Sequence, residues 1–186
     1  MNKILQKTEF GNPILRTKAR RLSDDEIMSE EIQTLIGDMY YTLEHKKYGV
    51  GVAAPQVGMP IAISTIDTKP TPTRPNLKRQ RLTIINPGII EVFGHKVSQW
   101  EGCISGSELY AKVPRYTEVR LRWQNEKAQV NEENFDGFLA HVIQHEVDHL
   151  NGILFVDRVQ NTKTYMTFSE YKRMQAKKAP GISGKI

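Results

Sequence analysis

The segment Phe138-Leu-Ala-His-Val-Ile-Gln-His-Glu-Val-Asp-His-Leu-Asn-Gly152 decides how the rest of the chain is interpreted. Apolar residues recur at positions 138, 139, 142, 143, 147 and 150, the spacing of a helix with a wide buried face. Asp136 suits the N-cap of this helix, and Gly152 suits the position just after its end. The segment therefore predicts a largely buried helix that carries several polar side chains.

This helix contains the sequence HExxH. The i, i+4 spacing places His145 and His149 one above the other on a single face, with Glu146 rotated by about 100°. Two imidazoles in this arrangement can bind one divalent metal ion while the carboxylate reaches its water. HExxH is short and also occurs in helices without a metal. Burying two histidines and two acids among apolar residues is costly unless they are paired or bind a metal, so the surroundings favour a metal site.

A third ligand must come from outside the motif. His141 lies in the same column, but a rise of about 1.5 Å per residue separates it from His149 by roughly 12 Å, too far to share one ion. We interpret His141 as a pocket or packing residue. The single cysteine, Cys103, excludes an intramolecular disulfide. A lone cysteine is usually a small buried apolar residue, but here it is also a candidate for the vacant ligand position.

Length and composition place the chain in a broad class. With 186 residues, 39% hydrophobic and 25% charged, it suits one domain over residues 1–186. No stretch approaches the roughly 18 apolar residues of a membrane span, and the N-terminus lacks the apolar core of a signal peptide. We expect a cytoplasmic protein without a membrane partner. The net charge of +5 favours loose attraction to polyanions, but no nucleic-acid-binding motif is present.

The predicted elements give an α+β fold, with small, mostly antiparallel sheets around the HExxH helix and further helices near both ends. Residues 24–45 read as one helix behind the capping box Ser23-Asp-Asp-Glu26, and a last helix opens at Thr167-Phe-Ser-Glu170 and runs to about Lys178. Residues 1–22 are expected to be an irregular arm, the proline-rich residues 68–75 a surface loop and residues 181–186 frayed. The predicted strands cover 61–66, 82–86, 89–93, 96–100, 117–124, 128–134 and 153–156. Those between 82 and 100 are expected to form an antiparallel meander with turns at Asn86-Pro-Gly88 and Gly94-His95.

A glycine-rich stretch, Tyr48-Gly-Val-Gly-Val-Ala-Ala-Pro-Gln-Val-Gly58, follows the first helix. Its small residues permit close backbone approach, as in a segment that lines a site. No GK[ST] follows, and no strand precedes the glycines. The stretch therefore matches neither a phosphate-binding loop nor a dinucleotide-binding fingerprint.

Three separated stretches together resemble the signature motifs of the peptide deformylases, in the same order. They are Gly49-Val-Gly-Val-Ala-Ala-Pro-Gln56, Glu101-Gly-Cys-Ile-Ser105 and Gln144-His-Glu-Val-Asp-His-Leu-Asn-Gly152. The resemblance extends over most of the chain. It implies hydrolysis of the N-formyl group from the initiator methionine of nascent polypeptides, with release of formate.

The resemblance also implies a ligand set and a metal. Cys103, His145 and His149 would hold one divalent ion, Fe²⁺ in the cell, with Zn²⁺, Ni²⁺ or Co²⁺ able to occupy the site. The ligand types alone fit zinc equally well. Two imidazoles and one thiolate leave a fourth tetrahedral position for water, as a catalytic site requires.

Further roles follow from the same resemblance. Glu146 would accept a proton from the metal-bound water and return it to the leaving amine. Gln56 and the backbone N–H of Ile104 would donate hydrogen bonds to the formyl oxygen. The expected substrate contacts are the backbones of Val50, Gly51 and Gly102, the side chain of Arg115 beyond the methionine, and Phe138, His141 and Val142 around the methionine side chain.

Two positions depart from the family pattern. Ser107-Glu108 stands where many members have Pro-Gly, which leaves the path and substrate contacts of residues 106–110 open. His141 stands where relatives often carry another residue, which leaves the side-chain preference open.

Two other functions remain as alternatives. HExxH is common in metalloendopeptidases, but the extended motif HExxHxxGxxH fails at Phe155, so only a protease with a distant glutamate ligand stays possible. A non-catalytic metal-binding or ribosome-associated module is the second alternative, although Glu146, Gln56 and Cys103 favour catalysis. A basic last helix, with Lys172, Arg173, Lys177 and Lys178, suggests a transient ribosome contact or simply a solvated face.

Overall fold

The computed structural model describes residues 2–45, 49–70 and 74–178 and has an α+β fold. Within these residues, four α-helices accompany one six-stranded sheet, so the predicted fold class is confirmed, with the strands joined in one antiparallel sheet. The helices are α1 (Asp24–Met28), α2 (Glu30–His45), α3 (Gly137–Leu150) and α4 (Phe168–Lys178). The strands are β1 (Gly51–Ala53), β2 (Ile63–Thr68), β3 (Gln80–Gly102), β4 (Leu109–Gln124), β5 (Val130–Asp136) and β6 (Met166–Thr167).

The sheet has the order β1-β2-β3-β4-β5, and β6 pairs with the start of β4. Helices cover both faces of the sheet. Neighbouring residues of a strand point to opposite faces, so they pack against different helices. Ile85 belongs to the apolar group around α2, whereas Ile84 belongs to the group around α3. The HExxH helix is therefore buried against the central strands, as its apolar spacing predicted, with Ile143 fully buried.

The predicted meander between residues 82 and 100 is wrong. β3 is continuous and pairs with β4 over most of its length, with register shifts after Ile85, Ile89 and Phe93. Asn86 and Gly94, which the sequence placed at turns, have positive φ angles of 52° and 71°. Such residues bend a strand as bulges without reversing it, so the turn signals produced kinks.

Asn86 has a further role that a turn would not require. Its Oδ1 accepts from the backbone N–H of Leu22 at 2.8 Å, and its Nδ2 donates to the carbonyl of Leu22 at 2.8 Å and to Oε1 of Gln124 at 2.7 Å. The side chain therefore fastens the N-terminal segment to the sheet.

Two other local predictions need correction. The helix predicted over 24–45 is interrupted at Ser29, whose ψ is 149°. Its hydroxyl donates to the carbonyl of Glu26 and accepts from the N–H of Ile32, so the serine caps both pieces. The strand predicted over 153–156 is wrong, because Phe155–Arg158 form a 3₁₀ helix.

Several end signals are confirmed. The capping box at Ser23 is complete, and Gly152 has a φ of 73° just after α3. Asp136 lies at the N-cap position of α3, but its side chain makes no capping hydrogen bond. Pro13–Arg16 form a short 3₁₀ helix in the otherwise irregular N-terminal arm. Residues 71–73 of the proline-rich loop and the expected frayed end at 181–186 lie outside the described residues.

Among the helices of the described ranges, none combines the length and the apolar character needed to cross a membrane.

Candidate metal centre

Three side chains converge where the end of β3 meets α3. Nε2 of His149 lies 3.3 Å from Sγ of Cys103 and 3.2 Å from Nε2 of His145. All three atoms lie within 4.8 Å of one another. Ligands about 2.0 to 2.3 Å from a tetrahedral ion lie roughly 3.3 to 3.8 Å apart, so this donor set fits one late divalent ion. His141 does not belong to this cluster.

Glu101 contacts His145 of this cluster, and sequence reasoning gave it no role. Its Oε2 lies 2.7 Å from Nδ1 of His145. A carboxylate on Nδ1 keeps the proton there and leaves Nε2 free to bind a metal. Nδ1 of His149 has no hydrogen-bond partner among the described residues, so only one imidazole has such a carboxylate. In the sequence, the one signal for this role was the position of Glu101, an acidic residue two positions before the candidate ligand Cys103.

The charged groups around the cluster favour a positive charge at His145. Burial raises the pKa of Glu101, but contacts with His141, His145 and Arg115 outweigh it and hold the pKa well below its ordinary value. Burial lowers the pKa of His145, yet Cys103 and Glu101 outweigh it and raise that pKa well above the usual range. Burial lowers the pKa of His149 well below its ordinary value, which keeps that ring neutral. These contacts therefore favour a positive charge on the ring of His145, which either a proton or a divalent ion bound at Nε2 can supply.

Glu146 lies beside the cluster with its carboxylate held on one side. Its Oε2 accepts a hydrogen bond of 2.8 Å from Oγ of Ser64, and the residue is 2% exposed. Burial raises the pKa of Glu146 above its ordinary value. A Cβ atom at Gly51 would lie 2.7 Å from Cδ of Glu146, so β1 approaches the carboxylate more closely than a side chain would permit. This position suits a group that takes and returns a proton.

Gln56 directs its amide nitrogen toward the thiol. Oε1 accepts from the backbone N–H of Ala53 at 2.9 Å, while Nε2 donates to Sγ of Cys103 at 3.1 Å and to Oγ of Ser105 at 3.3 Å. The 3₁₀ helix Ala54–Val57 holds the side chain in this pose. Ile104 follows the cysteine and packs into the apolar group around α2.

Most of the expected substrate residues lie on elements next to the cluster, whereas Arg115 and His141 contact Glu101. Val50, Phe138 and Val142 belong to the apolar group around α3. A Cβ at Gly102 would lie 2.6 Å from Cε2 of Tyr110, whose ring covers that backbone. Residues 107 and 108, where the sequence departs from the family pattern, both have positive φ and form the turn into β4.

Arg115 has buried carboxylate partners. The sequence placed its side chain along the substrate, but it is only 5% exposed. Nε donates to Oε1 of Glu101 at 2.8 Å, and Nη1 pairs with Asp148. Two buried carboxylates require a buried cation, and this pairing turns the guanidinium away from the solvent.

Phe155 occupies the position at which the extended protease motif requires a histidine. Its ring is buried and lies 6.4 Å from the ring of His145, centroid to centroid, at an interplanar angle of 28°. Position 155 therefore supplies an apolar aromatic ring beside His145 and no third imidazole ligand.

Comparison with known proteins gives a consistent result. A family model described as polypeptide deformylase matches residues 3–165. Peptide deformylase of Leptospira biflexa is 36% identical over 161 residues, covering 84% of this chain and 88% of the relative. That of Aquifex aeolicus is 37% identical over 165 residues, covering 89% and 93%.

Solved structures agree with the sequence comparisons. The Met-Ala-Ser-bound class I type b peptide deformylase of Acinetobacter baumannii superimposes with a TM-score of 0.81 at 33% identity, covering 86% of this chain and 100% of that one. Peptide deformylase of Thermotoga maritima gives a TM-score of 0.75 at 32% identity, covering 85% and 99%.

We expect a divalent ion to protect Cys103 from thiol reagents, because a coordinated thiolate is a poor nucleophile. Protein loaded with Zn²⁺ should react with a chromogenic disulfide at least about tenfold more slowly than metal-free protein. The chain has one cysteine, so the absorbance reports this site alone.

The control for this measurement uses two other histidine positions. His149→Ala removes a candidate ligand and should abolish the protection, whereas His95→Ala, at an exposed position, should retain it. Equal reaction rates with and without Zn²⁺ in the unmodified protein would contradict the metal centre.

Proposed function

The chain belongs to the peptide deformylase family, a family of metallohydrolases, and we propose that it removes the N-formyl group from the initiator methionine of nascent polypeptides. The observation that carries this proposal is the convergence of Cys103, His145 and His149 beside Glu146 in a chain with this family's sequence. A cytoplasmic location remains a prediction of the sequence, as does a single domain over residues 1–186.

We propose that Cys103, His145 and His149 hold one divalent ion, Fe²⁺ in the cell, with Zn²⁺, Ni²⁺ or Co²⁺ as possible replacements. Thiolate and imidazole suit several late divalent ions, so the donor set supports the group of metals and selects no member of it. When bound, the ion would supply Lewis acidity, which lowers the pKa of water and polarises the formyl oxygen.

The protein's own side chains would manage the proton and the developing charge. Glu146 would accept a proton from the attacking water at Oε1, since Oε2 already accepts from Ser64. The Nε2 amide of Gln56 and the backbone N–H of Ile104 would donate to the developing oxyanion, at about 3 kcal/mol per donor. As the C–N bond of the formyl group breaks, Glu146 would return the proton to the leaving amine, which completes the release of formate.

We propose that the substrate peptide binds as an added strand beside the candidate centre. β1 lies at one end of the sheet, and β2 pairs with β3 only through Gln80–Ile85. A peptide could therefore add as a strand between β1 and the later part of β3. Val50, Gly51 and Gly102 would supply backbone groups, and the apolar side chains of Phe138 and Val142 would surround the methionine.

Replacing Glu146 tests the proposed reaction. Glu146→Gln keeps the size of the side chain but removes the proton acceptor, so formate release should fall by about 10²- to 10⁴-fold at unchanged metal content. The measurement is formate released from a short N-formyl-methionyl peptide by enzyme prepared anaerobically with Fe²⁺.

The outcomes of this assay separate the alternatives. An unmodified enzyme that carries its full metal load and releases no formate would overturn the proposal. Cleavage of internal peptide bonds without formate release would favour a metalloendopeptidase.

Gly51→Ala should impair turnover more than stability. The new Cβ would collide with the Glu146 carboxylate, which is held by Ser64, so the carboxylate must move. A displacement of about 1 Å at a reacting group can cost about 10²-fold in rate, and we expect a loss of this size in kcat/KM.

Gly88→Ala is the matched control, because a Cβ at that position meets nothing within 4 Å. It should retain the turnover of the unmodified enzyme. Full activity in Gly51→Ala would show that the proton acceptor tolerates displacement, contrary to the proposed role of Glu146.

We also propose that α4 contacts ribosomal RNA. Tyr171 stacks on Tyr110 with ring centroids 4.5 Å apart, which holds the helix on β4 while Arg173 and Lys177 remain exposed.

Replacing Arg173 and Lys177 by glutamate should reduce co-sedimentation with ribosomes at low salt, because phosphate contacts depend on positive charge. Arg122→Glu with Lys127→Glu makes the same change of charge at exposed positions on the β4–β5 hairpin. An equal effect of both pairs, or none, would remove the proposed contact.

A further inference from the structure

The Glu101 carboxylate is surrounded by four nitrogen atoms. Oε1 lies 2.8 Å from Nε of Arg115 and 2.7 Å from Nε2 of His141. Oε2 lies 2.7 Å from Nδ1 of His145 and 3.1 Å from Nη2 of Arg115. The side chain of Glu101 is 4% exposed, and that of His141 is 6% exposed. Protein groups, not bulk water, therefore set the orientation of this carboxylate.

His141 reaches this carboxylate because of its place on α3. It lies one helical turn before His145, and residues four apart project from the same face of a helix. Both imidazoles consequently meet the same carboxylate, one on each oxygen. His141 is too far along the helix to share an ion with His149, but it contacts Glu101, which in turn contacts the candidate ligand His145.

Arg115 alone does not complete this arrangement. Its guanidinium spans both oxygens and so holds the plane of the carboxylate. The contact from His141 falls on Oε1 and leaves Oε2 to His145. Each imidazole is thereby matched with one oxygen.

We propose that His141 is a positioning residue of the metal centre. It holds Oε1 of Glu101, so that Oε2 stays aligned with Nδ1 of His145 and Nε2 of His145 stays directed at the ion. This inference rests on the metal site of the proposed function. It differs from the expectation that His141 lines the methionine pocket, because Nε2 of His141 lies 2.7 Å from Oε1 of Glu101, in a close polar contact whose angle falls outside hydrogen-bond geometry. Groups that orient metal-binding histidines typically contribute about 10- to 100-fold in metal affinity.

The test measures how fast Co²⁺ leaves the protein. Co²⁺-loaded wild type, His141→Leu and His141→Gln are mixed with excess chelator, and the cobalt–thiolate absorption of Cys103 is followed with time. His141→Leu removes the contact and should release Co²⁺ at least about tenfold faster than wild type. Its cobalt spectrum should also change, because His145 is no longer held in one orientation.

His141→Gln is the conservative variant. Its carboxamide offers N–H groups at a reach similar to that of imidazole Nε2, so its release rate and spectrum should stay close to those of wild type. His95→Leu removes an exposed histidine elsewhere and should change neither. In a Glu101→Gln background, adding His141→Leu should have little further effect, because both substitutions disrupt one contact.

Three results would overturn the inference. The first is release at the wild-type rate from His141→Leu. The second is equal acceleration in the leucine and glutamine variants, which would show that packing rather than the polar contact matters. The third is full additivity of His141→Leu with Glu101→Gln. Thermal unfolding of the metal-free proteins checks folding, and His141→Met replaces the leucine variant if that chain does not fold.

A separate readout distinguishes this inference from the proposed function. Formate release by the wild-type enzyme decides the reaction, whereas the ratio of cobalt release rates decides the role of His141. A wild type that holds cobalt and releases no formate would overturn the reaction and leave the test of His141 intact.

Discussion

The burial of a helix that carries charged and polar side chains is the constraint on which this structure depends. α3 lies against the central strands, and its buried charged groups need partners inside the protein, because an unpaired buried charge costs several kcal/mol. The partners come from different strands. Glu146 accepts from Ser64 of β2, His145 meets Glu101 of β3, and the amide of Gln144 exchanges two hydrogen bonds with the backbone of Tyr116 of β4. The same contacts that satisfy the helix therefore hold it in register with the sheet.

The charges near α3 form one continuous network. Arg115 lies between Glu101 and Asp148. Arg158, in the 3₁₀ helix that follows α3, also pairs with Asp148, with Nη2 2.7 Å from Oδ1. A buried network of this kind is demanding, because removing one member leaves its neighbours without a partner. It also gives the candidate centre a rigid base, since the groups that orient His145 are fixed by packing and ion pairs. Such rigidity is what a site with three converging ligands requires.

Small residues allow the sheet backbone to lie close to the polar side chains around the candidate centre. The backbone of Gly51 lies against the Glu146 carboxylate, and that of Gly102 lies beneath the ring of Tyr110. A side chain at Gly51 would separate β1 from Glu146, and one at Gly102 would collide with the ring of Tyr110 on the neighbouring strand. The proposed peptide site follows from the same geometry, because the free edge of β1 and the backbone at the end of β3 both lie next to the candidate centre.

Local sequence was sufficient for the features that depend on neighbouring residues. The period of α3, the i, i+4 histidine pair, the capping box at Ser23 and the glycine after Leu150 are each encoded within a few positions, so the fold class and the central helix followed from sequence alone. Tertiary structure decided the rest. Whether Asn86 and Gly94 turn the chain or kink it depends on pairing with β4, which no local pattern specifies. Arg115 was expected beside the substrate, whereas its carboxylate partners lie 14 and 33 positions away in the sequence. His141 has Glu101 beside it only because β3 ends against α3. The sequence alone thus determined the helix and its candidate ligands. Only the folded chain decided which charges meet behind them, because burial brings together residues that are distant in sequence.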